Sequence, residues 1–276
     1  MTFELAEQSL ITAIHGLYDD REAATIAAMV MEFVTGKSKM DRWLQKNEPL
    51  SIENLKSLEK YSKELLTGKP VQYVLGEAWF AGLCLQVNEH TLIPRPETEQ
   101  LVDWILKENF VTALDIGTGS GCIPIALAKN TDAKVLAIDV SEDALLIAEE
   151  NAKDNEVEID FIHQDILQTN SLQKVDLIVS NPPYVLESEK EKMQENVLDY
   201  EPELALFVED KNPLIFYKKI ASLAFNFLNE NGKLFFEINA KFGKETIEML
   251  VDIGFVNIEL KKDMNDKDRM IKAIKK

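Results

Sequence analysis

Two short segments of the chain carry residue types whose spacing suits group-transfer chemistry. The first is Asn181-Pro182-Pro183-Tyr184. The Asn181 side-chain carbonyl and the backbone carbonyl of Pro182 can each accept one N–H of an NH2 group. Pro182 and Pro183 stiffen the backbone, fix the carbonyl direction and remove competing donors. Tyr184 offers an aromatic face on which a planar amide or base can lie. A planar nitrogen of this kind is a poor nucleophile because its lone pair is delocalised. Two acceptors that align it toward an electrophilic carbon would help chiefly by positioning and electrostatics. No strong general base is required, because the nitrogen can lose its proton late. Asn181, Pro182 and Tyr184 are therefore the catalytic candidates, and Asn181 to Tyr184 the substrate-binding ones. Alone, the tetrad says only "planar NH2 group", and its bland reading is a strand-ending turn.

The second segment is Leu114-Asp115-Ile116-Gly117-Thr118-Gly119-Ser120-Gly121, at a strand-to-helix turn. Glycines there let the backbone turn tightly and approach a ligand. The dinucleotide fingerprint G-x-G-x-x-G would need glycine where Cys122 stands, so a nucleotide without a pyrophosphate is favoured over NAD. Asp139 ends the next apolar run, the position from which a carboxylate grips ribose hydroxyls. Its bland reading, a helix cap, is better met by Ser141. After a third run, Asp165 could bond an adenine amino group and Ile166 pack on its ring. Gly117, Thr118, Gly119, Ser120, Gly121, Asp139, Asp165 and Ile166 together form an S-adenosyl-L-methionine pattern, whose product would be S-adenosyl-L-homocysteine. His15, His90 and His163 show no metal-ligand spacing, and no metal is expected.

The elements that must position these segments follow from periodicity. Apolar runs at 111–116, 135–138, 159–162, 175–179 and 233–238 alternate with helical stretches at 123–129, 144–153, 214–228 and 245–251. That argues for a mostly parallel sheet covered on both faces, with both segments beyond the carboxyl ends of strands. Residues 255–261 and 269–274 fit a closing antiparallel pair, and residues 94–99 open a helix with Pro and Glu in its first turn. Residues 1–70 read as helices throughout, with Leu10, Ile14 and Leu17, then Ile26, Met29, Val30 and Phe33, at helical spacing. Residues 71–75, 78–82 and 83–87 read as short strands joined by turns. The expected organisation is a helical substrate-docking domain over 1–70, a β-hairpin linker over 71–92 and a methyltransferase domain over 93–276.

Composition limits the partners. The 276 residues are 46% hydrophobic and 28% charged, as in an ordinary globular protein of one large or two modest domains. The N-terminus lacks a signal-peptide pattern and no apolar run approaches the roughly 18 residues of a membrane span, so a cytoplasmic location without membrane association is expected. Cys84 and Cys122 read as buried thiols. With 30 Lys and Arg against 48 Asp and Glu, the net charge is −18. Neutralising phosphates takes a basic face, so direct nucleic-acid substrates are disfavoured and a basic protein partner fits better.

At these residues the chain resembles the bacterial methyltransferases that modify class-I peptide chain release factors at a glutamine side-chain nitrogen (PrmC/HemK). The resemblance spans nearly the whole chain. It includes the glycine segment and the tetrad, Pro70 to Gly76, Leu92 to Glu99, Tyr200-Glu201-Pro202 with Ala205-Leu206, and Asp268-Arg269. It implies a seven-stranded, Rossmann-like class I S-adenosylmethionine-dependent fold with a small N-terminal helical bundle and a connecting hairpin. It implies N5-methylation of the glutamine in a Gly-Gly-Gln motif, with the bundle and hairpin docking the release factor. It also implies cofactor contacts at Gly117 to Gly121, Asp139, Asp165, Ile166 and Asn181. Ile166 stands where some members carry Trp, and Pro124 in the helix after the glycines is unusual. A monomer is expected. Three other readings remain open: a nucleic-acid N6-adenine or guanine-amine methyltransferase, a ribosomal-protein glutamine methyltransferase, and a non-catalytic cofactor-binding protein.

Overall fold

A computed structural model describes all 276 residues, which group into two compact units. One unit comprises Met1–Glu77 with Gln194–Tyr200, the other Ala78–Met193 with Glu201–Lys276. The first is built on helices α1 (Phe3–Ile14), α2 (Asp20–Thr35), α3 (Lys39–Leu44), α4 (Ile52–Leu65) and α5 (Val71–Leu75). Thr2, Asp19, Ser38 and Ser51 precede the first four, and each side chain accepts a first-turn backbone N–H. Such caps supply partners for donors that a helix start leaves orphaned. The apolar faces meet in a core around Leu10, Ile14, Val30, Met31 and Leu65.

The α5 segment corrects the strand expected at 71–75. Its residues favour strands, but Pro70 precedes the turn and Gly76 closes it at φ 77° with its N–H on the Gln72 carbonyl. Val71 and Val74 are buried in the helical core. End signals and packing override local propensity here. The hairpin is accordingly shorter, with β1 (Glu77–Phe80) and β2 (Leu83–Gln86) joined by Ala81-Gly82. Both turn residues have positive φ, 49° and 78°, as a type I′ connection demands. Cys84 is exposed, contrary to expectation, because side chains alternate along β2 and Leu85 takes the inward place.

The second unit continues with α6 (Pro96–Ile105), β3 (Thr112–Ile116), α7 (Cys122–Asn130), β4 (Lys134–Asp139), α8 (Glu142–Asp154), β5 (Ile159–His163), β6 (Val175–Ser180) and β7 (Val185–Leu186). Next come α9 (Glu195–Tyr200), which belongs to the helical unit, α10 (Glu203–Leu206) and β8 (Phe207–Val208). The chain closes with α11 (Ile215–Phe227), β9 (Leu228–Glu237), α12 (Gly243–Ile253), β10 (Val256–Lys262) and β11 (Asp268–Ile274). Seven strands form one sheet in the order β10-β11-β9-β6-β3-β4-β5, parallel except at β11, which pairs antiparallel with both neighbours. The order is that of the seven-stranded, Rossmann-like class I methyltransferase fold. No helix is long and apolar enough to cross a membrane.

The central strands are nearly continuous apolar runs because both faces are covered. One face packs Ile178, Leu234 and Phe236 against Tyr217 and Ile220 of α11; the other packs Leu177, Val179 and Phe235 against Leu101, Trp104 and Ile105 of α6. From β3 the chain winds outward through β4 and β5, then returns to place β6 on the other side of β3. Ligands of open α/β sheets bind at such a reversal, beyond the strand ends.

Candidate active site

At the reversal, Ile116 pairs in register with Ser180 on one side and Ile138 on the other. The Ser180 hydroxyl donates to the Ile116 carbonyl at 2.6 Å, pinning the two strand ends together. The glycine turn and the Asn-Pro-Pro-Tyr segment therefore leave the sheet side by side.

The turn is held by backbone and carboxylate bonds. The N–H groups of Gly117 and Thr118 donate to the Ile138 carbonyl at 2.8 and 3.1 Å. Gly119 N–H donates to Asp139 Oδ2 at 2.8 Å, and Asp139 Oδ1 accepts from Ser141 N–H at 2.9 Å. Ser141 in turn caps α8, as expected, by accepting from Ala144 N–H. Gly119 has φ 53°, and no protein atom lies within 4 Å of where its Cβ would be. The opposite holds at Gly121, whose Cβ would lie 3.0 Å from Ile125 Cδ1 and 3.1 Å from Ala148 Cβ. Gly119 leaves room for a ligand, whereas Gly121 lets α7 and α8 close on each other.

A cleft of about 330 Å³ opens above these strand ends. It brings together Gly117 to Ser120, Asp139, Asp165, Ile166 and Asn181 to Pro183. Asp165 accepts from Leu167 N–H and from the Gln168 side-chain amide, both at 2.8 Å. Gly121 and Tyr184 do not line the cleft. The Tyr184 ring packs on the α11 side of the core, and its hydroxyl donates to Glu237 Oε1 at 2.9 Å. The expected aromatic platform is instead a half-buried strut.

Four polar groups are buried around the turn without a well-formed hydrogen bond: the Asp115 carboxyl, the hydroxyls of Thr118 and Ser120, and Asn181 Oδ1. Burial, with Asp139 adding repulsion, pushes the Asp115 carboxyl up to about 7. Orphaned buried polar groups carry a cost, and a ligand commonly supplies the missing partners. Acceptors beside an open glycine cradle fit a nucleoside with a donor-rich, positively charged tail. Cys122, by contrast, is half-buried, and desolvation pushes its thiol up to about 12, which leaves it inert at neutral pH.

Several supporting residues escaped the motif reading. Behind Asn181, its Nδ2 donates to Thr98 Oγ1 at 3.3 Å, and the Thr98 hydroxyl donates to Glu237 Oε2 at 2.7 Å. Glu237 is fully buried, and desolvation raises its pKa. Arg269 adds positive charge, with Nη1 3.4 Å from the Tyr184 hydroxyl and 3.2 Å from the Ile238 carbonyl. Asn151 is buried and saturated; it donates to the carbonyls of Gln86 and Ser120 and accepts from Gln86 N–H, tying β2 to the glycine turn. Glu201 accepts from Ile93 N–H and from the Arg95 guanidinium, closing the cleft rim. An acid inside the apolar run at 233–238 was the available signal for Glu237, as was an acid two residues before Gly117 for Asp115. Asn151 sits in an ordinary amphipathic helix and gave none.

Comparison with known proteins agrees with this geometry. Residues 96–200 match the family described as the methyltransferase small domain, and residues 10–76 match the PrmC N-terminal domain. A release factor glutamine methyltransferase of Flavobacterium psychrophilum is 49% identical over 272 residues, covering 95% of each chain. One from Bacteroides thetaiotaomicron is 42% identical over 266 residues, covering 95% of this chain and 96% of its own. Among solved structures, a methyltransferase from Pyrococcus furiosus superposes with TM-score 0.54 at 20% identity, over 77% of this chain and 96% of that one.

Proposed function

We infer the reaction from the premise that the chain belongs to the release factor glutamine methyltransferase family, whose members of known name align along almost its full length. It is an S-adenosyl-L-methionine-dependent protein-glutamine N5-methyltransferase. Its substrate on this reading is the glutamine of the Gly-Gly-Gln motif in class-I release factors. The observation that carries the chemical reading is Asn181 Oδ1, a buried acceptor without a donor, placed beside the glycine turn at the strand reversal.

The cofactor, when bound, supplies a methyl group made electrophilic by a sulfonium. Gly117 and Gly119, with open space where a Cβ would stand, would let Gly117 to Ser120 accommodate it, Asp139 would accept from its ribose hydroxyls, and Asp165 with Ile166 would meet the adenine. The buried carboxyl of Asp115 suits the cationic end of its amino-acid portion. Asn181 Oδ1 and the Pro182 carbonyl would each accept one N–H of the glutamine amide, which would fix its plane and present its nitrogen to the electrophilic methyl group. Positioning of this kind supplies most of the rate enhancement, since the protein needs to create no nucleophile. The methylated nitrogen is a strong acid and releases its extra proton without a basic side chain. Tyr184 contributes by holding the loop through Glu237 rather than by stacking on the amide. The helical unit is proposed as the surface that docks the release factor, supported by the family match over residues 10–76.

The test is to incubate the protein with labelled cofactor and a release factor, its Gln→Ala variant in the Gly-Gly-Gln motif, DNA or RNA. Label is expected only in the unaltered release factor. Label in nucleic acid and none in the release factor would overturn the reading.

A further inference from the structure

An asparagine amide can be turned by 180° about its last bond with almost no change of shape, yet the turn exchanges an acceptor for two donors. For Asn181 the exchange decides whether a substrate N–H meets an oxygen or another N–H. Nothing in Asn-Pro-Pro-Tyr itself selects one state, so the selection must come from the groups packed behind the side chain.

With Glu237 ionised, those groups form a chain whose polarity has a single consistent assignment. Glu237, on β9, receives one donor on each oxygen, the Thr98 hydroxyl on Oε2 and the Tyr184 hydroxyl on Oε1. A carboxylate can only accept. Thr98 has one hydroxyl proton, and with that proton committed to Glu237 at 2.7 Å only lone pairs remain to face Asn181. The side of Asn181 that meets Thr98 at 3.3 Å must then be its NH2. Its carbonyl oxygen is left over, buried and without a donor. Thr98 is 2% exposed and Glu237 1% exposed, so water does not compete for these bonds. The Thr98 and Tyr184 hydroxyls and the nearby Arg269 guanidinium favour the ionised form of Glu237 against the desolvation that raises its pKa.

We propose that Thr98 and Glu237 are positioning residues that lock the polarity of the Asn181 amide, keeping its carbonyl oxygen facing the substrate nitrogen. The proposal rests on the reading that Asn181 accepts from the glutamine amide. Thr98 touches neither reacting atom in this role; it acts through Asn181. With Thr98→Val the volume is kept but the acceptor is lost, and both amide states become accessible. With Glu237→Gln an NH2 group replaces one carboxylate oxygen; where it faces Thr98, the hydroxyl must accept from it and the lock reverses.

The experiment is steady-state kinetics of the full chain with a release factor, alongside calorimetric titration of S-adenosylmethionine and a melting curve for each variant. Thr98→Val should lower kcat at least about tenfold while KM and cofactor Kd stay within about twofold, since the lost interaction acts in the transition state. Thr98→Ser, which keeps the hydroxyl, should recover kcat to within about threefold. Glu237→Gln should resemble Thr98→Val; if it fails to fold, the Val and Ser pair still decides the matter. A folded Thr98→Val enzyme with unchanged kcat, or a Ser variant as slow as Val, overturns the lock. Asn181→Ala separates the two levels. If it alone turns over at the wild-type rate, the amide-acceptor reading fails; if it is inactive while Thr98→Val is unaffected, only the lock fails.

Discussion

The proposed ribose contact makes Asp139→Ala the most informative single substitution for the cofactor half of the site. The carboxylate holds Gly119 N–H at 2.8 Å and Ser141 N–H at 2.9 Å. Each oxygen keeps further lone-pair capacity for a ribose hydroxyl, so on the proposed reading the group that shapes the turn would also bind the ligand. A hydrogen bond to a charged group contributes roughly 1.5–3 kcal/mol, and Asp139 would make two to the ribose. After the cost of ordering, a loss of about 3 kcal/mol is expected, which is roughly a hundredfold in Kd. Isothermal titration with S-adenosylmethionine measures this directly. Saturating cofactor should restore much of kcat, because the glutamine-holding groups are untouched. Asp139→Asn should be intermediate, since an amide can keep one backbone bond but turns its NH2 toward the other N–H. An Asp139→Ala protein that binds the cofactor with wild-type affinity would refute both the ribose role and the account of the turn.

Three further outcomes follow from the same geometry. Gly121→Ala forces a Cβ into contact with Ile125 and Ala148 at φ 79°, and should cost about 2 kcal/mol in denaturant unfolding; wild-type stability would show that α7 and α8 can part freely. Asn151→Ala removes two part-buried hydrogen bonds to Gln86 of β2 and one buried bond to Ser120, and should cost about 3 kcal/mol and weaken cofactor binding together; an unchanged melting temperature would argue against that tie. Asp115 has a folded pKa raised from 3.8 to about 7, so its protonated form is the one folding favours. Its contribution is full below pH 3.8 and is lost as pH rises toward 7. Between pH 5 and 7 the cofactor-free wild type should lose about 1.4 kcal/mol per pH unit relative to Asp115→Asn. Parallel stability curves for the two proteins would contradict the desolvation of this carboxyl.

The sheet was legible because its signal is local and repeated. Runs such as 135–138 and 175–179 are apolar on both faces, and each lies inside an observed strand. The glycine turn was legible for the same reason, since positive φ at Gly119 and an acid ending the next strand leave marks within a few residues of chain. The error at Val71–Leu75 shows where that logic stops. Five residues are too few to display a period, and β-branched or aromatic types there mislead unless Pro70 and Gly76 are given weight. Cys84 failed differently. Its apolar neighbourhood was read as burial, when strand alternation put Leu85 inside and Cys84 outside.

The candidate site divides along the same line, and the division bears on what a motif can certify. Asn181, Pro182 and Pro183 are contiguous and reach the cleft as expected. The groups that give Asn181 its direction are far off in sequence. Thr98 lies 83 residues before it, and Thr98 meets Glu237 across 139 residues. Tyr184, inside the motif, faces away from the cleft to join that same network. Local chemistry can place an amide at a strand end, but it cannot choose which end of the amide looks outward, because the two orientations differ only through distant partners. The tetrad is thus a statement about which atoms are available, and on the proposed lock α6 with β9 determine which of them the substrate meets. A relative that keeps Asn-Pro-Pro-Tyr but has an apolar residue in place of Thr98 should bind cofactor normally and transfer methyl groups slowly, unless another buried acceptor faces the Asn181 amide.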